Sequence, residues 1–361
     1  MLLRGGRGLA QAYERGLWEC SDLVALVRIA ARNARRIDRA RRSLLALRAP
    51  ISMTRSLLHP STRSRREQEI AAHYDLGEDL FERMLDATMS YSCGVFEDGC
   101  ASLEEAQLAK LELVCEKLQL TSSDRVIEVG TGWGGFAIHA ATSRGCHVTT
   151  TTISRRQYRY VLERVRSAGV SQRVRVLCVD YADLKGHYDK LVSIEMIEAV
   201  GWRNIRAFLS TCSKLLRPDG AMLLQAITID DRLYELERDS RTFINTHIFP
   251  GGCLPSLEAI VSACARGTDV QLLDVEDLTA DYVRTLSQWR SRFGAALGDL
   301  EQRGYSDRFL RRWELYLAWC EAGFAERRIC DYQILMGKPA CSLIPAGIRA
   351  SRARARQLAR A

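Results

Sequence analysis

The sequence predicts an α/β fold of the doubly wound, Rossmann-like type, with a mostly parallel sheet whose last strand is antiparallel. Two observations predict it. Apolar strands alternate with amphipathic helices from residue 125 onward, as in successive βαβ units. The first strand also runs directly into the glycine-rich stretch 130–135. Such a turn is typical of sheets that bind a ligand at the carboxyl ends of their strands.

The elements can be assigned in order from the apolar runs. A strand over 125–130 is followed by a helix over about 134–144, and Ser154 is suited to cap the helix after the second strand. A turn at 217–220 comes before the fifth strand. The strands after the first are expected at 147–153, 174–180, 190–196, 221–229 and 329–337. Two aromatic-rich helices, whose rings we expect mostly in the core, cover about 281–297 and 305–326.

The chain divides into three parts by composition. Residues 1–65 are predicted to form a basic helical N-terminal segment and linker, because Pro50 and Pro60 interrupt it. The main domain is expected over 66–340. It includes a lid insertion at about 230–256 and a helical insertion at about 281–326, both of which would shape a substrate pocket. Residues 341–361 form a basic tail.

The two ends of the chain are strongly basic. Residues 1–66 hold 15 Arg against 4 acids, and residues 343–361 hold 5 Arg and no acid, so the body between them is net acidic although the whole chain carries +8. Such arms favour an anionic membrane surface, where each basic residue contributes about 1 kcal/mol. A solvated terminus is the alternative. Apolar residues at helical spacing over 23–37 indicate a basic amphipathic helix, which either lies on a bilayer or docks on the protein.

The composition limits the class of protein to which this chain can belong. The 361 residues are 47% hydrophobic, which is enough for a sizeable core. The twelve Cys form no Cys-x-x-Cys pair, so we expect reduced core cysteines and no metal site. No apolar run approaches the roughly 18 residues that span a bilayer. We therefore expect a cytoplasmic protein that associates peripherally with membranes, and homodimerisation is left open.

The glycine loop predicts a nucleoside pocket. It lacks the Gly-Lys-Ser/Thr of a P-loop, and Glu128 lies two residues before the first glycine instead of about 20 residues further on. This pattern favours S-adenosylmethionine over NAD, because the former has no pyrophosphate. An ordinary glycine-rich turn is the alternative reading. Asp180 and Tyr181 end another strand and are placed to meet the adenine, although an Asp that forms a turn explains the pattern equally well.

Two acids, Glu195 and Glu198, lie at the end of the strand predicted over 190–196. Burial there would raise the pKa of a carboxyl and suit it to proton handling. The alternative is an acid that complements the start of a helix. Gln225 and Ile227 end the next strand and should meet these acids at the same edge of the sheet.

Several separate strings resemble the cyclopropane-fatty-acyl-phospholipid synthases and the related mycolic acid cyclopropane synthases, over about 66–340. The strings are His73-Tyr-Asp-Leu76, Tyr91-Ser-Cys93, the glycine loop with Glu128, Thr152-Ile-Ser154 with Gln157, Glu195-Met-Ile-Glu-Ala-Val-Gly201 and Ile248-Phe-Pro-Gly-Gly-Cys-Leu-Pro-Ser256. The glycine loop alone is weak evidence, whereas the set is specific.

The resemblance implies a class I methyltransferase that moves the methyl of S-adenosylmethionine to a cis double bond in a phospholipid acyl chain, after which a carbocation loses a proton and a cyclopropane ring closes. It places a proton-accepting bicarbonate near Cys93, Glu198, Gln225, Ile227 and Tyr282. It places the cofactor against Tyr91, Ser92, Glu128, Gly130, Thr131, Gly132, Gly134, Gly135, Thr152, Gln157, Asp180 and Tyr181.

The sequence also departs from the family pattern. Gln225 stands where many members have a His, Ala199 where many have a His after the Glu, and His247 where a Tyr is usual. As far as the resemblance goes, the same pattern occurs in a branch of the family that includes plant-like synthases and relatives that leave a methylene or methyl branch. The sequence therefore does not decide between a ring and a branched product. Two rivals also remain: a small-molecule N- or O-methyltransferase, and a non-catalytic protein that binds lipid or nucleic acid through its Arg-rich ends. As binding partners of the protein we expect phospholipid and an anionic membrane surface, and no nucleic acid.

Overall fold

A computed structural model describes residues 5–34, 77–97 and 102–343. Predictions that fall elsewhere lie outside the described residues. These are the linker up to residue 65, the domain start near residue 66, the string at 73–76 and nearly all of the basic tail.

A seven-stranded sheet forms the centre of the molecule, in the order β3-β2-β1-β4-β5-β7-β6. The pairs among β1 to β5 are parallel, and β7 inserts antiparallel between β5 and β6. The predicted doubly wound sheet with an antiparallel last strand is confirmed. The strands are β1 Arg125–Val129, β2 His147–Thr152, β3 Val174–Cys178, β4 Tyr188–Ile194, β5 Leu216–Ile229, β6 Gln271–Asp277 and β7 Ile329–Gly337.

Two strands differ from the prediction. β5 begins at Leu216, and its pairing with β4 passes from Leu216 directly to Ala221, so the predicted turn at 217–220 bulges out of the strand. β6 was not predicted at all. It is an edge strand without a fully buried side chain, and apolar and polar residues alternate over only four residues, 273–276, which is the shortest pattern that indicates a strand.

Helices cover both faces of the sheet. Helices α4, α5 and α6 pack on one face and α7 and α10 on the other. Within β1, Val126 and Ile127 point to opposite faces, as the period of a strand requires. The helices are α1 Gly5–Glu14, α2 over 23–34, α3 Glu78–Met84, α4 Leu103–Lys117, α5 Gly135–Ser143, α6 Arg155–Ser167, α7 Ile205–Leu215, α8 Asp231–Glu237, α9 Phe243–His247, α10 Leu257–Gly267, α11 Thr279–Ala295, α12 Leu297–Gln302 and α13 Asp307–Ala325.

A third core lies beyond the carboxyl ends of the strands, where α1, α3, α11 and α13 meet. It is rich in aromatic rings, and most rings of the two predicted aromatic helices are buried in it. Trp133 of the glycine loop is part of the same core. Trp133 contacts Phe81 of α3, which in turn contacts Trp313, so the predicted helical insertion reaches the predicted cofactor loop through α3.

The N-terminal helices dock on this third core. The Tyr13 hydroxyl donates to Glu314 over 2.6 Å, and the buried Glu14 pairs with Arg308 and Arg312. Along α2, an apolar stripe at four-residue spacing is buried, consisting of Leu23, Val27 and Ala31. Arg28 and Arg32 of α2 each pair with Glu326 over 2.8 Å. Of the two alternatives for this amphipathic helix, docking on the protein is the one seen within 23–34.

None of the helices in the described ranges is both long enough and apolar enough to span a bilayer.

Candidate active site

The glycine loop connects β1 to α5 in a conformation that side chains would resist. Gly132 has φ +51, and a Cβ there would project into open space. A Cβ on Gly135 would lie 2.9 Å from the carbonyl oxygen of Thr88, a separation that forces a shift. The close approach at Gly135 brings the segment that carries Tyr91 and Ser92 against the loop. The open space beside Gly132 is the kind of cradle that a nucleoside ligand requires.

Buried polar groups surround this cradle. Thr152 donates from its hydroxyl to Gln157 Oε1 over 2.7 Å. Within the described part of the chain, Thr131 Oγ1 and Gln157 Nε2 are buried and have no hydrogen-bond partner. A buried polar atom without a partner is costly, so a polar ligand at the loop would satisfy these groups. The residues present fit S-adenosylmethionine.

Glu128 lies beneath the loop and is 2% exposed. Thr150 donates to its Oε2 over 2.5 Å. Burial raises the pKa of Glu128 to about 8, against smaller opposing contributions from Thr150 and Lys110. Such a carboxyl ionises readily when a cation binds beside it, which suits a ligand with an ammonium and a sulfonium group.

Asp180 and Tyr181 lie beyond the carboxyl end of β3, as predicted. The Asp180 carboxylate accepts the Ala182 backbone N–H over 2.8 Å, which is the turn-forming role named as the alternative. Tyr181 packs edge-on against Phe208 with ring centroids 5.1 Å apart. Their predicted contact with the adenine stays a prediction.

A cluster of carboxyl groups begins at the end of β4 and is centred on Glu195. Its Oε1 accepts the Cys93 backbone N–H over 2.8 Å and the Gln225 amide over 3.0 Å. Its Oε2 accepts the Tyr282 hydroxyl over 2.6 Å. Burial raises the pKa of Glu195, and the hydrogen bonds from Tyr282 and the Cys93 amide oppose that rise. The structure thus brings Cys93, Gln225 and Tyr282 together as predicted, but around Glu195.

Glu198 lies one short turn further along the chain. Its Oε1 accepts the Ile227 backbone N–H over 2.5 Å, while its Oε2 is buried without a partner among the described residues. Burial, and then the charge of Glu195, raise the pKa of Glu198 to about 8. Glu198 and Ile227 meet as predicted, whereas Tyr282 donates to Glu195.

Three members of the cluster were not predicted from the sequence. Asp331 of β7 accepts the Gln225 amide at Oδ2 over 3.0 Å, and Gln333 donates to Gln225 Oε1 over 3.2 Å. Burial, and then the charge of Glu195, raise the pKa of Asp331 well above its usual range. Lys110 of α4 is 1% exposed and donates to the Ser92 hydroxyl over 2.8 Å. Two polar residues at strand spacing in the apolar run 329–337 were the available signal for Asp331 and Gln333.

Aromatic rings form a wall beside the cluster. The Tyr282 ring stacks on Phe324 at 4.2 Å between centroids and meets Trp289 edge-on at 6.0 Å. Trp289 also packs against Tyr91, with ring centroids 5.1 Å apart. The Tyr91 hydroxyl lies 2.6 Å from the Tyr316 hydroxyl. The wall is apolar apart from the phenol groups, so it can pack against a hydrocarbon chain and exclude water.

The predicted lid insertion closes over the same cluster. The Cys253 backbone N–H donates to the Glu198 carbonyl over 2.9 Å. The Phe249 ring lies 6.4 Å from Tyr91 in a stacked arrangement and 5.8 Å from Tyr316. The string around 248–256 therefore joins the carboxyl cluster to the aromatic wall.

The donors assigned to bicarbonate are already engaged. The Cys93 amide, Gln225 and Tyr282 donate to Glu195, and the Ile227 amide donates to Glu198. An added anion would also lie beside three carboxyl groups, since Asp331 bonds to Gln225 as well. Like charges in one buried site disfavour one another. The residues present do not fit a separate bicarbonate ion.

Comparison with known proteins gives a consistent result. Residues 61–334 match the family model described as mycolic acid cyclopropane synthetase. The chain is 37% identical over 334 residues to the tuberculostearic acid methyltransferase UfaA1 of Mycobacterium tuberculosis, covering 90% of this chain and 77% of that protein. It is 35% identical over 345 residues to the cyclopropane-fatty-acyl-phospholipid synthase of Escherichia coli K12, covering 94% and 85%. Among solved structures, the mycolic acid cyclopropane synthase CmaA1 complexed with SAH and CTAB superposes with a TM-score of 0.70 at 31% identity, covering 78% of this chain and 99% of that one.

Proposed function

The chain belongs to the mycolic acid cyclopropane synthetase family and is an S-adenosylmethionine-dependent methyltransferase, and from this we propose that it methylates the cis double bond of an unsaturated phospholipid acyl chain and closes a cyclopropane ring.

One observation carries the proposal. The carboxyl cluster lies directly against the glycine loop, because a Cβ on Gly130 would lie 3.0 Å from Cγ of Met196, the residue after Glu195. A methyl donor held by the loop and a base held by the cluster would therefore act on the same acceptor atoms. The aromatic wall beside the cluster supports an acceptor that is a hydrocarbon chain.

The chemistry assigns each part of the site a task. When bound, S-adenosylmethionine supplies an electrophilic methyl group on a sulfonium. An alkene is a weak nucleophile, so the enzyme must hold it in line and exclude water from the cation that forms. The rings of Tyr91, Trp289 and Tyr282 lie where they can pack against the chain, and ring faces stabilise a nearby cation. The carboxyl cluster then takes up the proton.

The relatives support the acceptor class. One is named for cyclopropane formation on fatty-acyl phospholipid, and CmaA1 was solved with CTAB, a long-chain alkyl detergent. Incubation of the purified protein with methyl-labelled S-adenosylmethionine and oleoyl phospholipid vesicles tests the proposal. We expect label in the lipid fraction. Label on a soluble amine or phenol, with none in lipid, would contradict it and favour a small-molecule methyltransferase.

A methyl-branched or methylene-branched product is the second candidate, because the tuberculostearic acid methyltransferase UfaA1 is 37% identical to this chain. Loss of a proton from the added methyl closes the ring, and loss from a chain carbon gives a methyl-branched alkene. A hydride shift between the two chain carbons, followed by loss of a proton from the methyl, gives a methylene branch. The ring and the methylene branch are isomers that fragment differently. Mass spectrometry of the labelled lipid distinguishes them.

The Arg-rich ends support recruitment to an anionic membrane. Within the described residues, α2 turns its apolar stripe to the protein, so recruitment would depend on charge alone. We expect sedimentation with anionic vesicles to weaken as salt rises. Deletion of residues 1–60 should remove most of this binding, and unchanged vesicle binding after the deletion would contradict the proposal.

A further inference from the structure

We propose that the carboxylate of Glu195 is the base that accepts the proton from the lipid cation, and that it occupies the position in which the family resemblance places bicarbonate. This inference rests on the proposed function, and it makes the base a part of the protein chain.

The hydrogen bonds around Glu195 carry the inference. The family resemblance places the external anion near Cys93, Gln225 and Tyr282. The Cys93 amide, the Gln225 amide and the Tyr282 hydroxyl all donate to this carboxylate, over 2.8, 3.0 and 2.6 Å. A carboxylate and a bicarbonate share a planar pair of acceptor oxygens. One such group is sufficient for these three donors.

The surrounding charges favour Glu195 as the ionised member of the cluster. Glu195 accepts three hydrogen bonds, and the buried amine of Lys110 further favours its charged form. Glu198 has one oxygen without a partner among the described residues, and so has Asp331. Burial raises the pKa of both, to about 8 for Glu198 and well above the usual range for Asp331. Burial also raises the pKa of Glu195, but its three hydrogen bonds make it the carboxylate that the site stabilises best.

The backbone at Glu195 is also unusual. Its φ is +48, in the left-handed region that favours glycine and costs other residues about 1 kcal/mol or more. The strain is maintained because the Glu195 backbone N–H donates to the Gln225 carbonyl over 2.8 Å. This conformation directs the side chain to the three donors. Such strain is typical of functional positions.

The proton-transfer step balances without a further reactant. A C–H bond of the lipid cation breaks, its electron pair forms either the third ring bond or a carbon-carbon double bond, and the proton goes to a carboxylate oxygen of Glu195. The Tyr282 hydroxyl, which donates to Oε2, remains protonated because burial raises its pKa well above the usual range. The proton then passes to water once the product has left.

Removal of carbon dioxide tests the inference on the unmodified protein. Methyl transfer to oleoyl phospholipid vesicles is measured in carbonate-depleted buffer and again with added bicarbonate. We expect equal rates, because the base is built into the chain. A rate that collapses in depleted buffer and returns with bicarbonate would overturn the inference. A protein that labels no lipid under either condition would instead count against the proposed function.

The variant Glu195→Gly supplies a second test that does not require turnover. It keeps the left-handed backbone, removes the carboxylate and frees the three donors. We expect lipid methylation to fall at least about 100-fold and to be partly restored by formate. Formate should also raise the melting temperature of this variant and leave that of the wild type unchanged.

Gln119→Gly is the matched control for the backbone change. Gln119 has φ +52 and is exposed on the surface, so this variant should behave as the wild type in both assays. Full activity of Glu195→Gly without formate would overturn the inference. So would the absence of any formate effect on both rate and melting temperature in a folded Glu195→Gly protein. If this variant does not fold, the carbonate-depletion experiment on the wild type decides alone.

Discussion

The variant Tyr282→Phe isolates the contribution of one hydrogen bond to the base. The Tyr282 side chain is 4% exposed and donates to Glu195 Oε2 over 2.6 Å. Its ring stacks on Phe324 at 4.2 Å and meets Trp289 edge-on. Phenylalanine keeps both ring contacts. The change therefore removes a hydroxyl donor from a buried carboxylate and little else.

The size of the effect follows from that contact. A hydrogen bond to a charged group contributes about 1.5–3 kcal/mol, and one pKa unit corresponds to about 1.4 kcal/mol. Loss of the donor destabilises the ionised form, so the pKa of Glu195 should rise by about one to two. A base with a higher pKa is protonated over more of the acidic range. The acidic limb of the rate profile should then move to higher pH by the same amount.

The assay is the initial rate of label transfer into phospholipid vesicles as a function of pH. Tyr13→Phe is the matched control, because the Tyr13 hydroxyl donates to the Glu314 carboxylate over the same 2.6 Å but lies between α1 and α13. Its pH profile should coincide with that of the wild type. A limb that stays in place in Tyr282→Phe, or moves to lower pH, would refute the assignment of Tyr282 as the donor that holds Glu195 ionised.

Three further changes have defined outcomes. Glu128→Gln should weaken cofactor binding in calorimetry. The variant's melting temperature should also depend less on pH. The pKa of Glu128 in the folded wild type is raised to about 8, so the wild type loses stability as pH rises from the ordinary carboxyl range to about 8. Glu14→Gln should lower the free energy of unfolding at neutral pH by about 3 kcal/mol, the low end for a buried ion pair, because Arg308 is partly exposed. Burial raises the pKa of Glu14, but the hydrogen bond and charge of Arg312 outweigh it and keep that pKa below its usual range. The stability deficit of the variant should therefore shrink as acid protonates Glu14 in the wild type. A deficit that stays constant with pH in denaturant titrations would contradict the reasoning. Gly135→Ala should reduce cofactor affinity, because its Cβ would lie 2.9 Å from the Thr88 carbonyl, and an unchanged dissociation constant would contradict that.

Most of the fold could be predicted because its strands are apolar and alternate with amphipathic helices. Edge strand β6 could not, because its apolar residues are few and none of its side chains is fully buried. The glycine loop, Glu198, Gln225 and Ile227 were found because they end strands or match motifs. These signals locate residues along the chain but not the partners of their side chains.

The centre of the site was the part that sequence could not resolve. Glu195 was recognised as a buried acid, but its partners come from β5, α11 and the segment before α4. Asp331 and Gln333 lie on β7, opposite Ile227 and Gln225 in the register of the sheet. Lys110 lies in the middle of an ordinary helix. Only the three-dimensional pairing of distant strands brings these groups together.

The position of β7 has a consequence for how the protein is made. In the sheet, β7 lies between β5 and β6, yet it is synthesised after both of them. A nascent chain that has left the ribosome only as far as residue 328 exposes the unpaired edge of β5 and lacks the neighbours of Gln225 on β7. Unpaired strand edges invite aggregation. The edge of β5 therefore stays unpaired until the last strand emerges, and Gln225 gains its neighbours on β7 only at that late stage.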